Sequence, residues 1–267
     1  MQIGTFDPRS SFFFIAGPCL VEGREMLFRT AERLAEIAAR LDVPLVLKGS
    51  FKKANRTSGD SFATIGEEKA LRILEEGGRA FGLPTITDIH TTQDAELAAG
   101  FVDVLQIPAF LCRQTELIQT AARTGRALNI KKGQFVAPED MGHAVTKAKA
   151  AGGETVMLCE RGTTFGYHNL VVDMRGLVIM RESAVPVVYD ATHSVQLPSI
   201  AGISSGQPEF ILPLARAAVA VGVNGVFFET HPDPSRALSD AASQLPLGHA
   251  EDFMRQCALT DQFRRGL

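Results

Sequence analysis

The sequence predicts a single (β/α)8 barrel (a TIM barrel) that spans residues 1–267. Eight short apolar runs recur along the chain, and each is followed by a stretch that fits an amphipathic helix. The runs are continuously apolar, as is typical of parallel strands that are buried on both faces. These predicted strands are FFFIAG (12–17), PLVLKG (44–49), PTITDI (84–89), VLQIPA (104–109), ALNIKK (127–132), TVMLCE (155–160), VPVVYD (185–190) and GVFFET (225–230).

The helical pattern is clearest over residues 24–41, 67–81 and 209–222, and Gly222 predicts a C-cap for the last of these helices. A doubly wound open sheet is the competing architecture. A dinucleotide-binding sheet of that kind would carry a GxGxxG turn after its first strand, and this sequence has none there. The alternation of eight strands and helices therefore favours a closed barrel.

Two connections are longer than the rest. Residues 50–66 and 194–208 are rich in serine and glycine and follow the second and seventh predicted strands. Connections of this length in a compact domain usually have a function or are mobile. In a barrel both would lie on the catalytic face.

Composition excludes several classes of protein. Of the 267 residues, 45% are hydrophobic and 21% are charged, and the net charge of −3 argues against a nucleic-acid or membrane-surface partner. The N-terminal stretch lacks the apolar core of a signal peptide, and no run of eighteen apolar residues predicts a membrane span. The four cysteines form no CxxC pair. We therefore expect a cytoplasmic protein.

Polar and charged side chains stand at the carboxyl ends of the predicted strands, where barrel enzymes place their catalytic groups. Lysine and arginine are rarely enclosed in a protein unless they are paired with an anion. This pattern is the main evidence for an active site. The strand-end residues are Cys19, Lys48, Asp88, Gln106, Lys131, Arg161, His193 and Glu229.

The cations predict an anion site. Lys48, Lys131 and Arg161 come from three different strands and would converge at the barrel mouth, with Lys53 and Arg56 beside them. We expect a strongly positive pocket for a ligand that carries phosphate and carboxylate. Lys53 taken alone fits a solvated loop residue equally well.

A second group predicts a metal site. Cys19, His193 and Glu229 would be neighbours because the first, seventh and eighth strands adjoin in a closed barrel. With a carboxylate from the segment ETHPDPSRALSD they would suit Zn²⁺, Fe²⁺, Mn²⁺ or Co²⁺. Asp233 is one candidate for that carboxylate, and His231 is a further candidate ligand. Taken singly, Cys19 fits a small buried hydrophobe and His193 a hydrogen-bonding residue.

Several segments together resemble one family over nearly the whole chain. They are IAGPC, LKGSFKKANRTS, LQIPAFLCRQTEL, NIKKGQF, CERG with FGYHNLVVDM, YDATHSVQLP and FFETHPDPSRALSD. They resemble 3-deoxy-D-manno-octulosonate 8-phosphate synthases. That resemblance implies a homotetrameric barrel that condenses phosphoenolpyruvate with D-arabinose 5-phosphate, releases phosphate and serves lipopolysaccharide biosynthesis.

The resemblance also implies a metal. The family has metal-dependent and metal-independent branches, with Cys or Asn at the position of Cys19. Cys19 thus implies one divalent ion per subunit, with Zn, Fe, Mn, Co or Cd able to occupy the site. By the same match the ligands are Cys19, His193, Glu229 and Asp240.

The remaining roles are likewise implied by the match. Arg113 would reach the site of a neighbouring subunit, and Lys48, Lys53, Lys131 and His193 would be catalytic. The implied substrate-binding residues are Lys48, Ser50, Lys53, Asn55, Arg56, Thr57, Asp88, Gln106, Arg113, Lys131 and Arg161.

Two departures and three alternatives accompany this interpretation. Thr57 stands where the family usually has Ser, and residues 59–66 lack the Arg-Gly that follows the motif in familiar members. The nearest competitor is 3-deoxy-D-arabino-heptulosonate 7-phosphate synthase, in which Lys-Pro-Arg-Thr replaces the Lys-Ala-Asn-Arg-Thr of this chain. A sugar-phosphate sensor would need no metal ligands. A Schiff-base aldolase would use Lys48 or Lys131 covalently.

Overall fold

The computed structural model describes residues 2–54, 62–167, 169–200 and 203–267. Within these ranges, eight parallel strands form a closed barrel, and all eight predicted strands are confirmed to within two residues at each end. The strands are β1 (Phe13–Gly17), β2 (Leu45–Lys48), β3 (Thr85–Asp88), β4 (Val104–Ile107), β5 (Ala127–Lys131), β6 (Val156–Glu160), β7 (Val187–Asp190) and β8 (Gly225–His231).

Each strand is followed by a helix on the outside of the barrel. The helix predicted over 209–222 begins as a 3-10 turn at Pro208–Phe210, and Gly222 ends it in the left-handed conformation with φ 107°. The other two predicted helices have the expected bounds. The helices are α1 (Arg24–Leu41), α2 (Glu67–Phe81), α3 (Thr92–Ala98), α4 (Thr115–Arg123), α5 (Met141–Ala150), α6 (Met174–Arg181), α7 (Ile211–Val221) and α8 (Ala250–Arg265).

The barrel closes between its first and last strands. β1 pairs with β8 along its whole length, from Phe13 opposite Gly225 to Gly17 opposite Glu229. A Cβ at position 225 would lie 2.8 Å from the ring of Phe13, so only glycine fits there. β8 also pairs with β7, which confirms that the first, seventh and eighth strands are neighbours.

Apolar side chains fill both sides of the sheet. Those that face the helices form the larger core, and the barrel interior holds a second cluster that includes Ile15, Met157 and Phe227. Ile3 and Phe6 close this interior at the amino ends of the strands, where Phe6 lies 5.2 Å from the Phe13 ring, centroid to centroid. The opposite end is left for polar groups.

Two antiparallel hairpins stand at the carboxyl ends of the strands. Thr163–Gly166 pairs with Asn169–Val171 after β6, and Gln196–Ile200 pairs with Ile203–Gly206 after β7. The second hairpin lies within the long connection predicted over 194–208, and neither hairpin was predicted. No helix in the described part of the chain is long and apolar enough to cross a membrane.

Candidate active site

A cavity opens at the carboxyl ends of the strands. Its wall is formed mainly by the predicted strand-end residues and by the connections that follow them. Lys48 and Gln106 are buried behind this wall, with 1% and 0% of their surface exposed. The wall contains Cys19, Leu20, Ser50, Lys52, Lys53, Asp88, His90, Pro108, Ala109, Phe110, Lys131, Gln134, Arg161, His193, Glu229 and Asp240.

A row of hydrogen-bonded polar side chains crosses three neighbouring strands below the cavity. Asn129 Nδ2 donates to Gln106 Oε1 at 2.8 Å, and Gln106 Nε2 donates to Asp88 Oδ1 at 2.8 Å. The row follows from the strand register, which places Asp88 opposite Gln106 and Gln106 opposite Asn129. Ser50 Oγ donates to the other Asp88 oxygen at 2.6 Å. Asp88, predicted at the end of the third strand, therefore anchors this row.

Lys48 is enclosed by acceptors. Its Nζ donates to the Cys19 carbonyl at 2.6 Å, to the Pro18 carbonyl at 3.2 Å and to Glu229 Oε1 at 2.7 Å. The three protons of the ammonium are thereby used within the protein. Lys48 therefore joins the β1 connection to β8.

Lys131 and Lys53 also contact carboxylates. Lys131 Nζ lies 2.6 Å from Asp190 Oδ2, and Lys53 Nζ lies 2.6 Å from Asp240 Oδ2. Lys53 also contacts Ser239 Oγ, and its side chain is only 16% exposed. The interpretation of Lys53 as a solvated loop residue is therefore wrong.

Arg161 has unused hydrogen-bonding capacity. Its Nη2 donates to Gln196 Oε1 at 2.9 Å, whereas Nη1 is buried and has no partner among the described residues. Burial lowers the pKa of the guanidinium below its usual value, although Asp190 and Glu160 oppose that effect. A guanidinium remains charged in proteins, so this side chain is prepared for an anion.

The charge of the cavity wall corrects the sequence-based expectation. Four described cations on the wall face three carboxylates, so the pocket is closer to balance than the strongly positive site that the sequence predicted. The reason is that the strand ends deliver Asp88 and Glu229 to the same wall, and the connection after β8 adds Asp240. Arg56 is not in this comparison because residues 55–61 are outside the described ranges.

Three of the four predicted metal ligands lie together. One ligand atom each from Cys19, Glu229 and Asp240 lies within 4.8 Å of the others. Glu229 Oε2 is buried and has no hydrogen-bond partner within the described residues, which leaves a carboxylate oxygen available for a cation. Thiolate and carboxylate together suit a divalent transition metal, so the donor set fits the predicted ion.

His193 flanks this trio. Its Nε2 lies 3.7 Å from Glu229 Oε1, and its Nδ1 lies 2.7 Å from Asp190 Oδ2. The residue begins a 3-10 turn directly after β7, and its backbone N–H donates to Asp190 Oδ1. The short turn brings the ring back over the end of β8.

The Cys19 thiol lies in an environment that opposes ionisation. Burial, together with the nearby carboxylates of Glu229 and Asp240, raises the pKa of Cys19 well above its usual value. A bound divalent cation reverses this effect because it stabilises the thiolate. Cys19 is therefore suited to binding a cation more than to acting as a free nucleophile.

Asp240 is held in an uncommon backbone conformation, with φ 47°. Non-glycine residues with positive φ are often found where a site requires them. Its Oδ2 lies 3.3 Å from Cys19 Sγ.

Asp233, the alternative carboxylate, is instead exposed and caps a short 3-10 turn through the Ser235 N–H. His231 Nδ1 is bonded to the backbone at Asp233.

The structure does not bring every predicted residue to this cavity. Arg113 is exposed and lies outside the wall. Asn55, Arg56 and Thr57 lie outside the described residues, as does part of the departure at 59–66.

Sequence reasoning missed Asp190, which contacts both Lys131 and His193. The run VVYD carries the signal, because its final carboxylate ends the seventh strand. Thr192 was also missed, and its Oγ1 accepts from the backbone N–H of Glu229 at 2.8 Å.

Comparison with known proteins decides the family. A family profile described as the DAHP synthetase I family matches residues 7–264. The chain belongs to the DAHP synthetase I family. Within that family it is similar to 2-dehydro-3-deoxyphosphooctonate aldolases from several bacteria.

Three of these DAHP synthetase I family relatives illustrate the similarity. The chain is 56% identical to the aldolase of Acidithiobacillus ferrooxidans over 245 residues, which is 91% of this chain and 87% of the relative. It is 53% identical to that of Alkalilimnicola ehrlichii, over 95% of this chain and 92% of the relative. It is 52% identical to that of Paraburkholderia xenovorans, over 98% and 95%. These comparisons confirm the resemblance inferred from the motifs.

Proposed function

We propose that this protein condenses phosphoenolpyruvate with D-arabinose 5-phosphate and water, giving 3-deoxy-D-manno-octulosonate 8-phosphate and inorganic phosphate. This is the reaction of a 2-dehydro-3-deoxyphosphooctonate aldolase. The observation that carries the proposal is the identity of 52–56% to relatives with that name over most of the chain. The cavity supports it independently, since it offers separate groups for an anionic donor and for a metal.

The donor side of the cavity is formed by cations. Arg161 has a free buried amino group, and the ammonium groups of Lys131 and Lys53 lie on the same wall. Phosphoenolpyruvate carries a phosphate and a carboxylate, which such groups bind with charge-assisted hydrogen bonds. Holding the donor in one orientation lowers the barrier because the reacting carbon already faces the acceptor.

The reaction balances without a redox partner. The π electrons of the donor form a bond from its C3 to the aldehyde carbon of the acceptor, and the aldehyde oxygen takes up a proton. Water adds at C2 of the donor, and phosphate leaves by cleavage of the C2–O bond as the ketone forms. Lys131 and Arg161 are arranged to stabilise the anionic groups of the donor during these steps.

We also propose that Cys19, His193, Glu229 and Asp240 hold one divalent ion. The trio within 4.8 Å and the unpartnered Glu229 Oε2 support this proposal. When bound, such an ion supplies orientation and partial polarisation of the acceptor. Lys48 holds the Cys19 backbone and the Glu229 carboxylate in place through its own hydrogen bonds.

Phosphate release tests the reaction. The purified protein should release phosphate from phosphoenolpyruvate with D-arabinose 5-phosphate and only weakly with D-erythrose 4-phosphate. Preference for the four-carbon acceptor would instead make the protein a 3-deoxy-D-arabino-heptulosonate 7-phosphate synthase. Binding of sugar phosphate without turnover would favour a sensor. Trapping by borohydride at Lys48 or Lys131 would favour a Schiff-base aldolase.

Chelation tests the metal. Exhaustive treatment with a chelator should abolish turnover, and added Mn²⁺, Co²⁺ or Zn²⁺ should restore it. Glu229→Gln, which keeps the shape but removes the charge, should prevent the recovery. The exposed residue Glu139 provides the matched control, since Glu139→Gln should recover like the unmodified protein. Full activity after chelation would contradict the metal assignment.

The proposed assembly is a homotetramer in the cytoplasm. The exposure of Arg113 and its position outside the cavity wall of its own chain support a contribution to the site of a neighbouring subunit. Light scattering on the purified protein measures the mass of the assembly.

A further inference from the structure

Asp190 is a fully buried carboxylate at the end of β7, and none of its surface is exposed. Its Oδ1 accepts from the backbone N–H groups of Thr192 at 3.1 Å and His193 at 2.9 Å. Its Oδ2 lies 2.6 Å from Lys131 Nζ and 2.7 Å from His193 Nδ1. A single oxygen thus joins one side chain from the donor side of the cavity to one from the metal side.

The contact with Asp190 fixes which nitrogen of His193 carries the proton. Asp190 Oδ1 accepts two backbone N–H groups and Oδ2 lies against the Lys131 ammonium, so the carboxylate is placed as the ionised partner of a buried ion pair. An ionised carboxylate only accepts hydrogen bonds, so His193 Nδ1 must be the donor. In the neutral ring this leaves the lone pair on Nε2, the nitrogen that faces Glu229.

The same oxygen also fixes the ammonium of Lys131. That group lies 3.8 Å from the centroid of the Phe227 ring and 2.6 Å from Asp190 Oδ2. A long lysine side chain has many rotamers, and two such contacts restrict it to one. Lys131 therefore presents its charge to the cavity from a fixed position.

We propose that Asp190 is a positioning residue that sets, through one carboxylate oxygen, both the tautomer of His193 for a divalent cation and the direction of Lys131 for phosphoenolpyruvate. The inference rests on the function proposed above. It makes the metal-binding side and the donor-binding side of the cavity depend on each other. Neither His193 nor Lys131 can be oriented as observed without Asp190.

The variant Asp190→Asn tests this role. The amide keeps the shape, and its oxygen can still accept from the two backbone N–H groups, but its NH2 group would face Lys131 Nζ and His193 Nδ1. Affinity of the substrate-free protein for Co²⁺ should fall by roughly 10- to 100-fold, as for other carboxylates that orient a metal-binding histidine. At saturating Co²⁺ the KM for phosphoenolpyruvate should rise, with a smaller change in the KM for D-arabinose 5-phosphate.

The matched control is Asp261→Asn. Asp261 is also a buried carboxylate, but it lies on α8 and is paired with Arg264 and Arg265, far from the cavity. Its variant should bind Co²⁺ within about twofold of the unmodified protein. A general loss of stability would affect both variants, whereas the positioning role affects only Asp190→Asn.

Nitrogen-15 NMR of the unmodified protein gives a reading that does not depend on the variant folding. The signals of His193, assigned by their loss in His193→Gln, should show a protonated Nδ1. A neutral ring protonated at Nε2 would overturn the inference. If the unmodified protein binds no Co²⁺, the proposed metal site itself fails. If it binds Co²⁺ and Asp190→Asn binds it equally tightly, only the positioning role fails.

Discussion

Asp88 remains ionised within the wall of the cavity because its neighbours compensate for its burial. Burial alone would raise the pKa of Asp88, but Lys48, Lys131 and the Ser50 hydroxyl lower it to about 2. A carboxyl with a lowered pKa stabilises the folded protein above the pKa of the unfolded chain. That stabilisation disappears as the pH falls towards 2.

The charge of Asp88 should make the stability of the folded protein depend on pH in the acid range. At pH 6, Asp88→Asn should lower the free energy of unfolding by about 2 kcal/mol, because the folded pKa lies well below the ordinary aspartate value. The difference in the free energy of unfolding between Asp88→Asn and the unmodified protein should be smaller at pH 4 and smaller again at pH 3. Urea unfolding at the three pH values measures it. A difference that stays constant with pH would show that the charge of Asp88 is not its source.

Individual residues of the cavity wall differ in how well the sequence predicts them. Six of the eight predicted strand-end residues lie on the cavity wall, because the carboxyl ends of parallel strands meet at one face. Sequence could not say that the lysines would be paired. Lys131 and Lys132 are adjacent, yet Lys131 contacts Asp190 in the cavity and Lys132 contacts Glu160 behind it. Only the partners from other strands distinguish the two.

At the scale of elements, the pair of Lys132 and Glu160 joins two connections of the catalytic face. Lys132 Nζ lies 3.4 Å from Glu160 Oε1 and donates to Thr163 Oγ1 at 3.0 Å. Glu160 Oε1 accepts from the Gly162 N–H at 2.6 Å. Both charged side chains are almost completely buried. The pair therefore holds the start of the first hairpin against β5, directly beside Arg161.

Removing one charge of this pair should be costly. Glu160→Gln leaves the Lys132 ammonium buried without a counter-charge, and we expect the free energy of unfolding to fall by about 3 kcal/mol. Urea unfolding measures the loss. The double variant Lys132→Met/Glu160→Leu is the matched control and should recover part of it, because no charge is then left buried. Equal urea midpoints for Glu160→Gln and the unmodified protein would show that the buried pair does not stabilise the fold.

The elements also differ in how well sequence predicted them. All eight barrel strands were predicted because each lies in a short, mainly apolar run of the sequence. The two hairpins were not, because Thr163–Gly166 and Ile203–Gly206 are short and mostly polar or small. Their strands are stabilised by pairing with each other and with neighbouring connections, which no local pattern records.

At the scale of the whole molecule, the two ends of the barrel have different tasks. The carboxyl end holds the cavity, and the amino end is closed by Ile3 and Phe6, which pack into the barrel interior. Features at the amino end of such a barrel serve stability. The two tasks should therefore be separable by mutation.

Phe6→Ala tests this separation. Phe6 is 9% exposed and contacts the Phe13 ring, so its removal should lower the free energy of unfolding by about 3 kcal/mol. The rate of phosphate release should change little at a temperature where the variant is folded. Phe263→Ala, at a phenylalanine that is 72% exposed, should leave both quantities unchanged. A loss of activity in folded Phe6→Ala would show that the two ends are coupled.

The pairing of β1 with β8 has a consequence for how the protein folds during translation. Cys19 leaves the ribosome early, while its partner Asp240 lies 221 positions later in the chain. Throughout most of translation the nascent chain can neither close its sheet nor gather the full set of donors for an ion. Contacts of such long sequence separation form slowly, because a long loop must first be closed. Assembly of the proposed metal site would thus be a late event, and an interrupted chain that lacks its last strand would be without two of its four ligands.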